Sequence, residues 1–348
     1  MWLNNFFKRK SKTRSLDKKI NMGFWSKLPK PFFFFIPLAD VTDCAFRRII
    51  AKHSRHGEVG GGPDVFWTEF VSADGLSSPA GREALIIDLK YSSSEHPILA
   101  QLFGSNTVNM ESATRLCAEL GFDGIDINMG CPDRSIEKSK SGAYDIKDPS
   151  LAWSIVEAAR RGAGSLPVSV KTRLGYNKVD WGWVREVLSW NLPAVTFHLR
   201  TRKEMSLVPA HWELMPEIIR LRDEISPSTL VIGNGDATDL LDAQNKLQVS
   251  GADGVMFGRA IFGNPWLFDS TKGAISIEEK MIVMLEHTKM FVDLLGNRKN
   301  FSLMKKHYKA YVNGFDGAKE LRVRLMEAED YETIENITTE FLHSFKGK

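Results

Sequence analysis

Eight short runs of apolar, β-branched and aromatic residues recur between residues 32 and 260 of this 348-residue chain. Most of them are almost continuously apolar, which is typical of strands buried on both faces of a parallel sheet. The runs are FFFFIPLA (32–39), DVFWTEF (64–70), PILAQLFG (97–104), GIDINMG (124–130), PVSVKTRLG (167–175), AVTFHLRT (194–201), LVIGNGD (230–236) and GVMFGRA (254–260). Eight strands with helical stretches between them predict a (β/α)8 TIM barrel over residues 31–273. A doubly wound sheet is the alternative, but it usually has fewer strands.

Helical periodicity fills the intervals between the predicted strands. Three stretches carry end signals, because VNMESATRLCAELGF (108–122), DPSLAWSIVEAARRG (148–162) and ATDLLDAQNKLQVSGA (237–252) each end at or near a glycine. After residue 273 the periodicity is helical and no convincing strand appears. Residues 274–348 are therefore predicted to form a small, separate helical domain after the barrel.

Positive charge is concentrated at the amino terminus. The formal net charge is +3, yet residues 1–30 contain nine Lys or Arg and one Asp. The run KRKSKTRSLDKK (8–19) has no apolar periodicity, so residues 1–30 are predicted to be a basic, disordered segment; an arm that attracts nucleic acid is the alternative. It is not a secretory signal, because its short apolar stretch precedes the charges. FFFFIPL (32–38) is too short to span a bilayer, and no transmembrane segment is predicted.

The composition is that of a soluble globular protein, with 43% hydrophobic and 26% charged residues. Three cysteines, Cys44, Cys117 and Cys131, are widely spaced and form no CxxC pair. This pattern argues against a zinc site and against a disulfide framework, and it predicts a reducing, cytoplasmic location and no metal. A monomer is expected, although no sequence feature fixes the oligomeric state.

Unusual polar residues cluster at the carboxyl ends of six predicted strands, where barrel enzymes carry their chemistry. They are Gln101 on the third strand; Asn128 and Cys131 on the fourth; Lys171 and Arg173 on the fifth; His198, Arg200 and Arg202 on the sixth; Asn234, Gly235 and Asp236 on the seventh; and Gly258 and Arg259 on the eighth. Each alone has an ordinary structural explanation. Six strand ends that agree predict an active site.

The last two strand ends predict a site for a phosphorylated ligand. Gly233, Gly235 and Gly258 allow backbone N–H groups to approach an anion closely, and Arg259 adds a fork-shaped donor. Barrels frequently bind phosphate at these two loops. The alternative is that Arg259 pairs with a carboxylate. The position of Lys171 also has two interpretations. A cation at the carboxyl end of the barrel could stabilise an anionic reduced flavin, or it could pair with a carboxylate.

The segment IDINMGCPDRSIEKSKSGA (125–143) resembles the signature of the tRNA-dihydrouridine synthases, with an Asn-x-Gly-Cys-Pro core and a glycine eleven residues after the cysteine. The resemblance runs from about Pro37 to about Leu325. Its other motifs are PLADVTDCAFRR (37–48), TEFVSADGL (68–76), QLFG (101–104), VKTRLG (170–175), HLRTR (198–202), GNGD (233–236), GRAIFGNPW (258–266) and, in the helical domain, MKKHYKAYVNGFDGAKELR (304–322). So many motifs in the family's order make the likeness specific.

The resemblance implies an FMN-dependent reduction of uridine to dihydrouridine in tRNA, with NADPH as the electron source. Cys131 is then the general acid, which protonates C5 of uracil opposite the hydride that C6 receives from reduced FMN. An unperturbed thiol has a pKa of about 8.5, so it is mostly protonated at neutral pH. The residues expected to hold the flavin are Pro37, Leu38, Ala39, Gln101, Lys171 and His198 at the ring, and Asn234, Gly235, Asp236, Gly258 and Arg259 toward the phosphate. Cys44 and Cys117 are expected to be structural.

The same resemblance implies a basic surface for tRNA, because the base must leave the stacked RNA to meet the flavin. The expected contacts are Asn128, Arg134, Lys138, Arg173, Arg200, Arg202, Lys305, Lys306 and Arg322. Residues 298–324 hold eight Lys or Arg against two Asp or Glu, whereas residues 325–340 hold six acidic and no basic residues. These opposed blocks favour a one-sided RNA face, with solvated helix surfaces as the alternative.

Four features depart from the family pattern. Leu38 stands where methionine is usual, Tyr144-Asp145 follows Gly142-Ala143 where small and apolar residues are usual, residues 53–64 are longer and richer in glycine, and residues 1–21 have no counterpart. The loop of Tyr144 is expected near the substrate, so the reduced uridine position stays open. Two rival functions also stay open, namely an FMN barrel acting on a free pyrimidine, like dihydroorotate dehydrogenase, and a non-catalytic RNA-binding relic.

Overall fold

The computed structural model describes residues 20–346, in which nine parallel strands form one sheet. The strands are β1 (Phe32–Phe35), β2 (Phe66–Trp67), β3 (Val71–Ser72), β4 (Ile98–Phe103), β5 (Gly124–Met129), β6 (Val168–Arg173), β7 (Ala194–His198), β8 (Leu230–Asn234) and β9 (Gly254–Phe257). Hydrogen-bonded neighbours follow the order β1-β9-β8-β7-β6-β5-β4-β2, and β3 also pairs with β4. Each predicted run contains one strand, and β3 is a short addition. The predicted (β/α)8 barrel is confirmed.

Helices fill the connections between strands and form the end of the described chain. They are α1 (Cys44–His53), α2 (Ala73–Leu76), α3 (Pro79–Leu85), α4 (Thr107–Glu119), α5 (Arg134–Lys138), α6 (Pro149–Ala163), α7 (Trp181–Leu188), α8 (Met215–Ile225), α9 (Leu240–Ser250), α10 (Ile277–Leu295), α11 (Met304–Tyr311), α12 (Ala318–Glu327) and α13 (Tyr331–Lys346). Local sequence sets their ends. The Asp148 carboxylate accepts the Leu151 N–H at the start of α6, and Gly251 ends α9 at a φ of 71°.

The sheet closes into a barrel between β1 and β2 through Asp64. The Asp64 N–H donates to the carbonyl of Phe33 at 3.0 Å, and the Asp64 carboxylate accepts the Phe33 N–H at 2.6 Å. A cluster that includes Phe32, Phe34 and Trp67 fills the floor of the barrel. The floor is therefore apolar and closed, and it directs any ligand to the opposite end.

The segment before β1 packs against this floor, which corrects the prediction of disorder for residues 20–30. Residues Gly23–Lys27 form a 3-10 helix, and Trp25 is 2% exposed with its ring centre 6.1 Å from that of Phe34. The prediction weighed the lysines of this segment and overlooked the apolar area that a buried tryptophan removes from water. The basic run that ends at residue 19 lies outside the described residues.

Helices α10 to α13 pack on the barrel through α1. Their core contains Phe291, Tyr308 and Leu325, and the α1 side chains Cys44 and Ile49 belong to the same cluster. The C-terminal helices predicted from the sequence are confirmed, and they share a core with the first barrel helix. In the described part of the chain, no helix is both long and apolar enough to cross a membrane.

Candidate active site

Strand register brings the predicted chemical residues together at one end of the barrel. Lys171 on β6 is aligned with Asn128 on β5, Arg173 with His198 on β7, and His198 with Asn234 on β8. Aligned residues of neighbouring parallel strands project to the same side of a sheet. These five residues lie at or near the carboxyl ends of their strands, where barrel chemistry is expected.

A cavity of about 700 Å³ opens at this end of the barrel. Cofactor and small-molecule sites typically measure roughly 300–1,000 Å³. The predicted residues that line it are Pro37, Leu38, Asn128, Cys131, Lys171, Arg173, His198, Arg200, Asn234, Gly235, Asp236, Gly258 and Arg259. Sequence reasoning missed Ile36, Phe70, Ser206 and Thr238, which also line it. Phe70 could have been found from its place at the carboxyl end of the second run, whereas Ser206 lies on a loop without a motif.

Two residues predicted to contact a flavin do not line this cavity. Ala39 is exposed, although Pro37 and Leu38 before it belong to the wall. Gln101 is fully buried, and both ends of its side-chain amide are engaged by Asp126 and Asn128. Ala39 and Gln101 therefore lie beside the cavity and not in its wall, and their contact with a flavin stays a prediction.

The residues predicted to bind RNA fall into two groups. Asn128, Arg173 and Arg200 face the cavity and not the outer surface. The others lie outside it: Arg134 and Lys138 are exposed on or beside α5, Arg202 pairs with Glu137, Lys305 and Lys306 lie on α11, and Arg322 lies on α12. Tyr144 is half-buried and does not line the cavity, and the ammonium of Lys147 lies 5.5 Å from its ring centre.

A series of hydrogen bonds beneath the cavity fixes the loop that carries Cys131. The Asp126 carboxylate accepts Nε2 of Gln101 at 2.6 Å, and Oε1 of Gln101 accepts Nδ2 of Asn128 at 3.0 Å. Oδ1 of Asn128 then accepts the N–H groups of Gly130 at 3.1 Å and Cys131 at 3.0 Å. Asp126 was not predicted, yet it anchors this series. Buried networks of this kind hold a reactive group in one geometry.

Gly142 closes the same loop eleven residues after Cys131. Its φ is 65°, a left-handed conformation that glycine adopts without steric cost. A Cβ added here would lie 2.8 Å from the carbonyl oxygen of Cys131 and 2.9 Å from Cγ2 of Ile136. That carbonyl also accepts the Ala143 N–H at 2.9 Å. Both the backbone conformation and the close approach therefore require glycine.

Replacing Gly142 with alanine is expected to destabilise the protein by about 3 kcal/mol, because a left-handed alanine costs roughly 1–2 kcal/mol and an overpacked contact a further 1–3 kcal/mol. Gly57→Ala is the matched control, since Gly57 has a φ of 84° but no atom within 4 Å of an added Cβ. Urea-induced unfolding of both variants measures the difference. Equal losses would contradict the role assigned to the loop contact.

The cavity wall concentrates buried positive charge. Lys171 and Arg173 are each 6% exposed, and Arg200 is 3% exposed. Burial, followed by repulsion from Arg173, lowers the pKa of Lys171 to about 7. Burial also lowers the pKa of Arg173 to about 10. Burial disfavours the charged forms of both side chains, and an anion bound beside them would favour those forms again. The wall is therefore suited to an anionic ligand.

His198 is held as a neutral ring among these cations. Burial, and then the charges of Arg173, Lys171 and Arg200, lower its pKa well below the usual value. Nη1 of Arg200 lies 3.2 Å from Nε2 of His198. Because a guanidinium can only donate, His198 accepts at Nε2 and carries its proton on Nδ1.

The part of the wall after β8 has an unused acceptor. Asn234 is 2% exposed, and its Nδ2 donates to the carbonyl of Met256 at 2.7 Å. Its Oδ1 is buried and has no hydrogen-bond partner within residues 20–346. A Cβ added at Gly258 would meet no atom within 4 Å. A buried acceptor beside open space is suited to a ligand that brings a donor.

Asp236 joins the two arginines of this region. Its carboxylate accepts Arg200 and lies 3.3 Å from Nη2 of Arg259. The side chain of Arg259 is 79% exposed, so this pair is weak. The contact agrees with the alternative prediction that Arg259 pairs with a carboxylate. Because the Arg259 side chain is exposed, most of its N–H donors are still available to an anion.

Cys131 is half-buried in the wall, and the other two cysteines lie elsewhere. Burial raises the pKa of the Cys131 thiol above its usual value, so the group is protonated at neutral pH. Cys117 is buried on α4 and Cys44 is buried in the α1 core. Among the described residues, no group of three or more His, Cys, Asp or Glu could hold a metal ion. The cavity therefore combines a proton donor with a wall suited to an anionic ligand.

Known proteins match this chain over most of its length. The model of the dihydrouridine synthase (Dus) family matches residues 34–346. A "probable tRNA-dihydrouridine synthase" of Staphylococcus aureus strain Mu50 is 39% identical over 322 residues, which are 92% of this chain and 95% of that protein. A "probable tRNA-dihydrouridine synthase 2" of Bacillus subtilis strain 168 is 38% identical over 92% of this chain and 96% of that protein. Among solved structures, an old yellow enzyme homologue from Zymomonas mobilis is 15% identical with a TM-score of 0.48, over 72% of this chain and 92% of that chain.

Proposed function

This chain belongs to the dihydrouridine synthase family, and we propose that it reduces uridine to 5,6-dihydrouridine in tRNA, with FMN as its cofactor and NADPH as its source of electrons. The observation that carries the proposal is the place of Cys131, a protonated thiol in the wall of a cationic cavity of cofactor size. No feature of the cavity favours a free pyrimidine as the substrate, and the relatives are named for action on tRNA.

The cavity residues fit FMN by size, charge and hydrogen-bonding capacity. Lys171 is the cation available to the pyrimidine side of the ring, where reduction places negative charge. Nδ1–H of His198 is a neutral donor beside it. Asn234 Oδ1 is a buried acceptor that a ring N–H or a hydroxyl group would satisfy. When bound and reduced, FMN supplies the hydride for C6 of uracil.

The phosphate of the cofactor is assigned to the loops after β8 and β9. Gly235 and Gly258 keep the wall free of side chains there, and the space beside Gly258 is open. Arg259 brings an exposed guanidinium. Asp236 draws Arg200 and Arg259 toward each other, so it contributes by orienting donors and not by contacting the phosphate itself.

Cys131 is assigned the proton for C5 of uracil. Its raised pKa keeps the proton on Sγ until the carbon accepts it. Asn128 accepts the Cys131 N–H, and Gly142 packs against the Cys131 carbonyl at the end of the loop. These contacts hold the backbone of Cys131 in one position, so the thiol is preorganised for proton transfer. Positioned acid catalysis of this kind contributes roughly 10²–10⁴-fold to a rate.

We assign the tRNA to the barrel mouth and to one face of the helical region, which comprises residues 277–346 with helices α10 to α13. Within the basic block 298–324, several side chains already have intramolecular partners. Arg298 donates to the Glu83 carbonyl, Lys299 pairs with Glu69 and Asp88, Arg322 donates to the Val312 carbonyl, and Arg324 pairs with Glu340. Lys305 is half-buried, and Lys309 and Lys319 are exposed. These three lysines, with Arg134 and Lys138 near the mouth, are the phosphate contacts we assign.

The proposal is tested by incubating the purified protein with NADPH and tRNA from cells that lack dihydrouridine. The protein should be yellow, NADPH oxidation should require the tRNA, and mass spectrometry should detect dihydrouridine in the product. A colourless protein that still binds tRNA would instead support the non-catalytic relic. Turnover of free uracil or orotate without tRNA would support the free-pyrimidine alternative.

A further inference from the structure

Residues 38–41, called here the wall turn, connect the cavity wall to α1. Leu38 lines the cavity. Its carbonyl accepts the N–H groups of Val41 at 3.2 Å and Thr42 at 3.0 Å, which closes the turn. Asp40 sits in this turn at a φ of 56°, an uncommon conformation for a residue other than glycine. This conformation costs some free energy even for an aspartate, and contacts from surrounding groups offset that cost.

The holding contact on Asp40 comes from Glu69, which follows β2. The Asp40 N–H donates to Oε1 of Glu69. The other oxygen of that carboxylate, Oε2, accepts Nζ of Lys299 at 2.9 Å. Glu69 is buried and Lys299 is largely so, with 5% and 12% of their side chains exposed. One carboxylate therefore joins the wall turn to Lys299, which lies 230 residues after Glu69 in the chain.

Lys299 belongs to the helical region, in the segment that follows α10. It also pairs with Asp88 at 2.7 Å. Neighbouring contacts seat the same part of the helical region on the barrel, because Lys90 Nζ donates to the Leu294 carbonyl at 3.3 Å and Arg298 donates to the Glu83 carbonyl. Lys299 is thus placed by the docking of the helical region.

Helix α11 touches the wall turn directly as well. Nζ of Lys306 lies 3.8 Å from the Asp40 carboxylate. His307 is fully buried, and its ring centre lies 4.7 Å from that of Phe46 on α1. The wall turn is therefore in contact with α11 as well as with Glu69.

Electrostatics make Lys299 necessary to this arrangement. Burial raises the pKa of Glu69 to about 7, and the charge of Lys299 is the largest opposing effect, while Asp43 and Asp88 raise it further. Without Lys299, the pKa of Glu69 would be higher still, and Glu69 would hold its proton over more of the neutral range. A neutral carboxyl is a weaker acceptor than a carboxylate, so its hold on the Asp40 N–H would weaken.

We propose that Glu69 is a positioning residue through which Lys299 fixes the wall turn, so that docking of the helical region and the affinity of the cavity for its flavin are coupled. The flavin half of this statement rests on the proposed function, whereas the half that concerns the turn rests on geometry alone. Coupling free energies between sites usually correspond to changes of roughly 5–150-fold.

The experiment measures two properties of the full-length protein in parallel. Hydrogen exchange, read by mass spectrometry on peptides that contain residues 38–41, reports the turn. Fluorescence titration of the flavin-free protein with FMN reports the cavity. Lys299→Met and Glu69→Gln should each raise the exchange rate of the turn, and weaken FMN binding, by about tenfold. Lys299→Arg, which restores the charge, should return both properties toward those of the wild type.

Two controls separate this role from general weakening of the interface. Asp88→Asn removes the second partner of Lys299 but leaves the Glu69 contact. Lys52→Met removes another ion pair with the helical region, in which Lys52 Nζ lies 2.6 Å from Glu286, without touching the wall turn. Both controls should leave the exchange of the turn and the affinity for FMN within about twofold of the wild type.

Equal effects of Asp88→Asn and Lys299→Met would overturn the proposal, because the interface as a whole would then be responsible. If Lys299→Met does not fold, Glu69→Gln decides, and unchanged exchange of the turn in that variant would also overturn it. If the wild type fails to bind FMN, the proposed function fails, while the exchange measurement still tests the contact between Lys299, Glu69 and Asp40.

Discussion

Cys131→Ala is expected to retain bound flavin and to lose nearly all turnover. The thiol is protonated, lies in the cavity wall, and is the group to which we assign the proton transfer. Loss of a positioned acid reduces a rate by roughly 10²–10⁴-fold. Flavin reduction by NADPH should be unchanged, because that step does not need the C5 proton. Stopped-flow reoxidation of the reduced enzyme by unmodified tRNA measures the affected step.

Cys117→Ala is the matched control for this variant, since Cys117 is fully buried on α4, away from the cavity. It should lower stability and keep the reoxidation rate. Normal reoxidation in Cys131→Ala would rule out the acid role. The pH dependence adds a separate check. Burial raises the pKa of Cys131, so the acid form and the rate that depends on it should persist past the ordinary thiol pKa of about 8.5 and fall only above it.

The barrel could be predicted because its signal is local and repeated. Each strand buried on both faces leaves its own apolar run, and each run contains a strand in the structure. The second run was the least regular. Its strand is only Phe66–Trp67, because the chain leaves the sheet at Thr68–Phe70 before Val71–Ser72 pairs with β4 again. That departure is where Glu69 turns toward Asp40 and Lys299, which no local pattern indicates.

The direction of the basic side chains could have been predicted in part. Arg173 follows Lys171 by two residues on β6, so strand alternation places both on the same face, and both line the cavity. Arg173 is predicted to contact RNA because it is basic and projects from a strand end, and that contact stays a prediction. Arg200 lies beyond the end of β7, where alternation no longer applies. Its position depends on Asp236 and on the carbonyl of Val208, which accepts its Nε at 2.6 Å.

Contacts between distant parts of the chain could not be predicted. Trp25 enters the barrel floor beside Phe34 and Trp67, and neither its basic surroundings nor its spacing indicates this. Asp126 reads as one more residue of a buried strand until its partner Gln101 is known. In each case the sequence supplies a residue type, and the pairing that gives it a role is set by tertiary packing.

Lys171→Met is expected to weaken FMN binding by about 10–100-fold, since a hydrogen bond to a charged group contributes roughly 1.5–3 kcal/mol. In the wild type, affinity should fall as the pH rises through about 7, because the pKa of Lys171 is lowered to that value by burial and then by Arg173. The variant should bind weakly at every pH. Fluorescence titrations between pH 6.5 and 9 measure both, with Lys178→Met, at an exposed position, as the control.

The same substitution should stabilise the flavin-free protein, and this opposite sign is what identifies Lys171 as a binding residue. The unfolded chain keeps the ordinary lysine pKa of 10.5. Between pH 7 and 10.5 the unfolded chain therefore binds more protons at Lys171 than the folded wild type does. The contribution of Lys171 to the free energy of unfolding rises with pH over that window. The advantage of Lys171→Met should be full below pH 7 and should vanish toward pH 10.5. If the variant lost both stability and affinity for FMN, Lys171 would be a structural residue. Its buried charge would then stabilise the flavin-free fold, and a bound anion would not be needed to offset it.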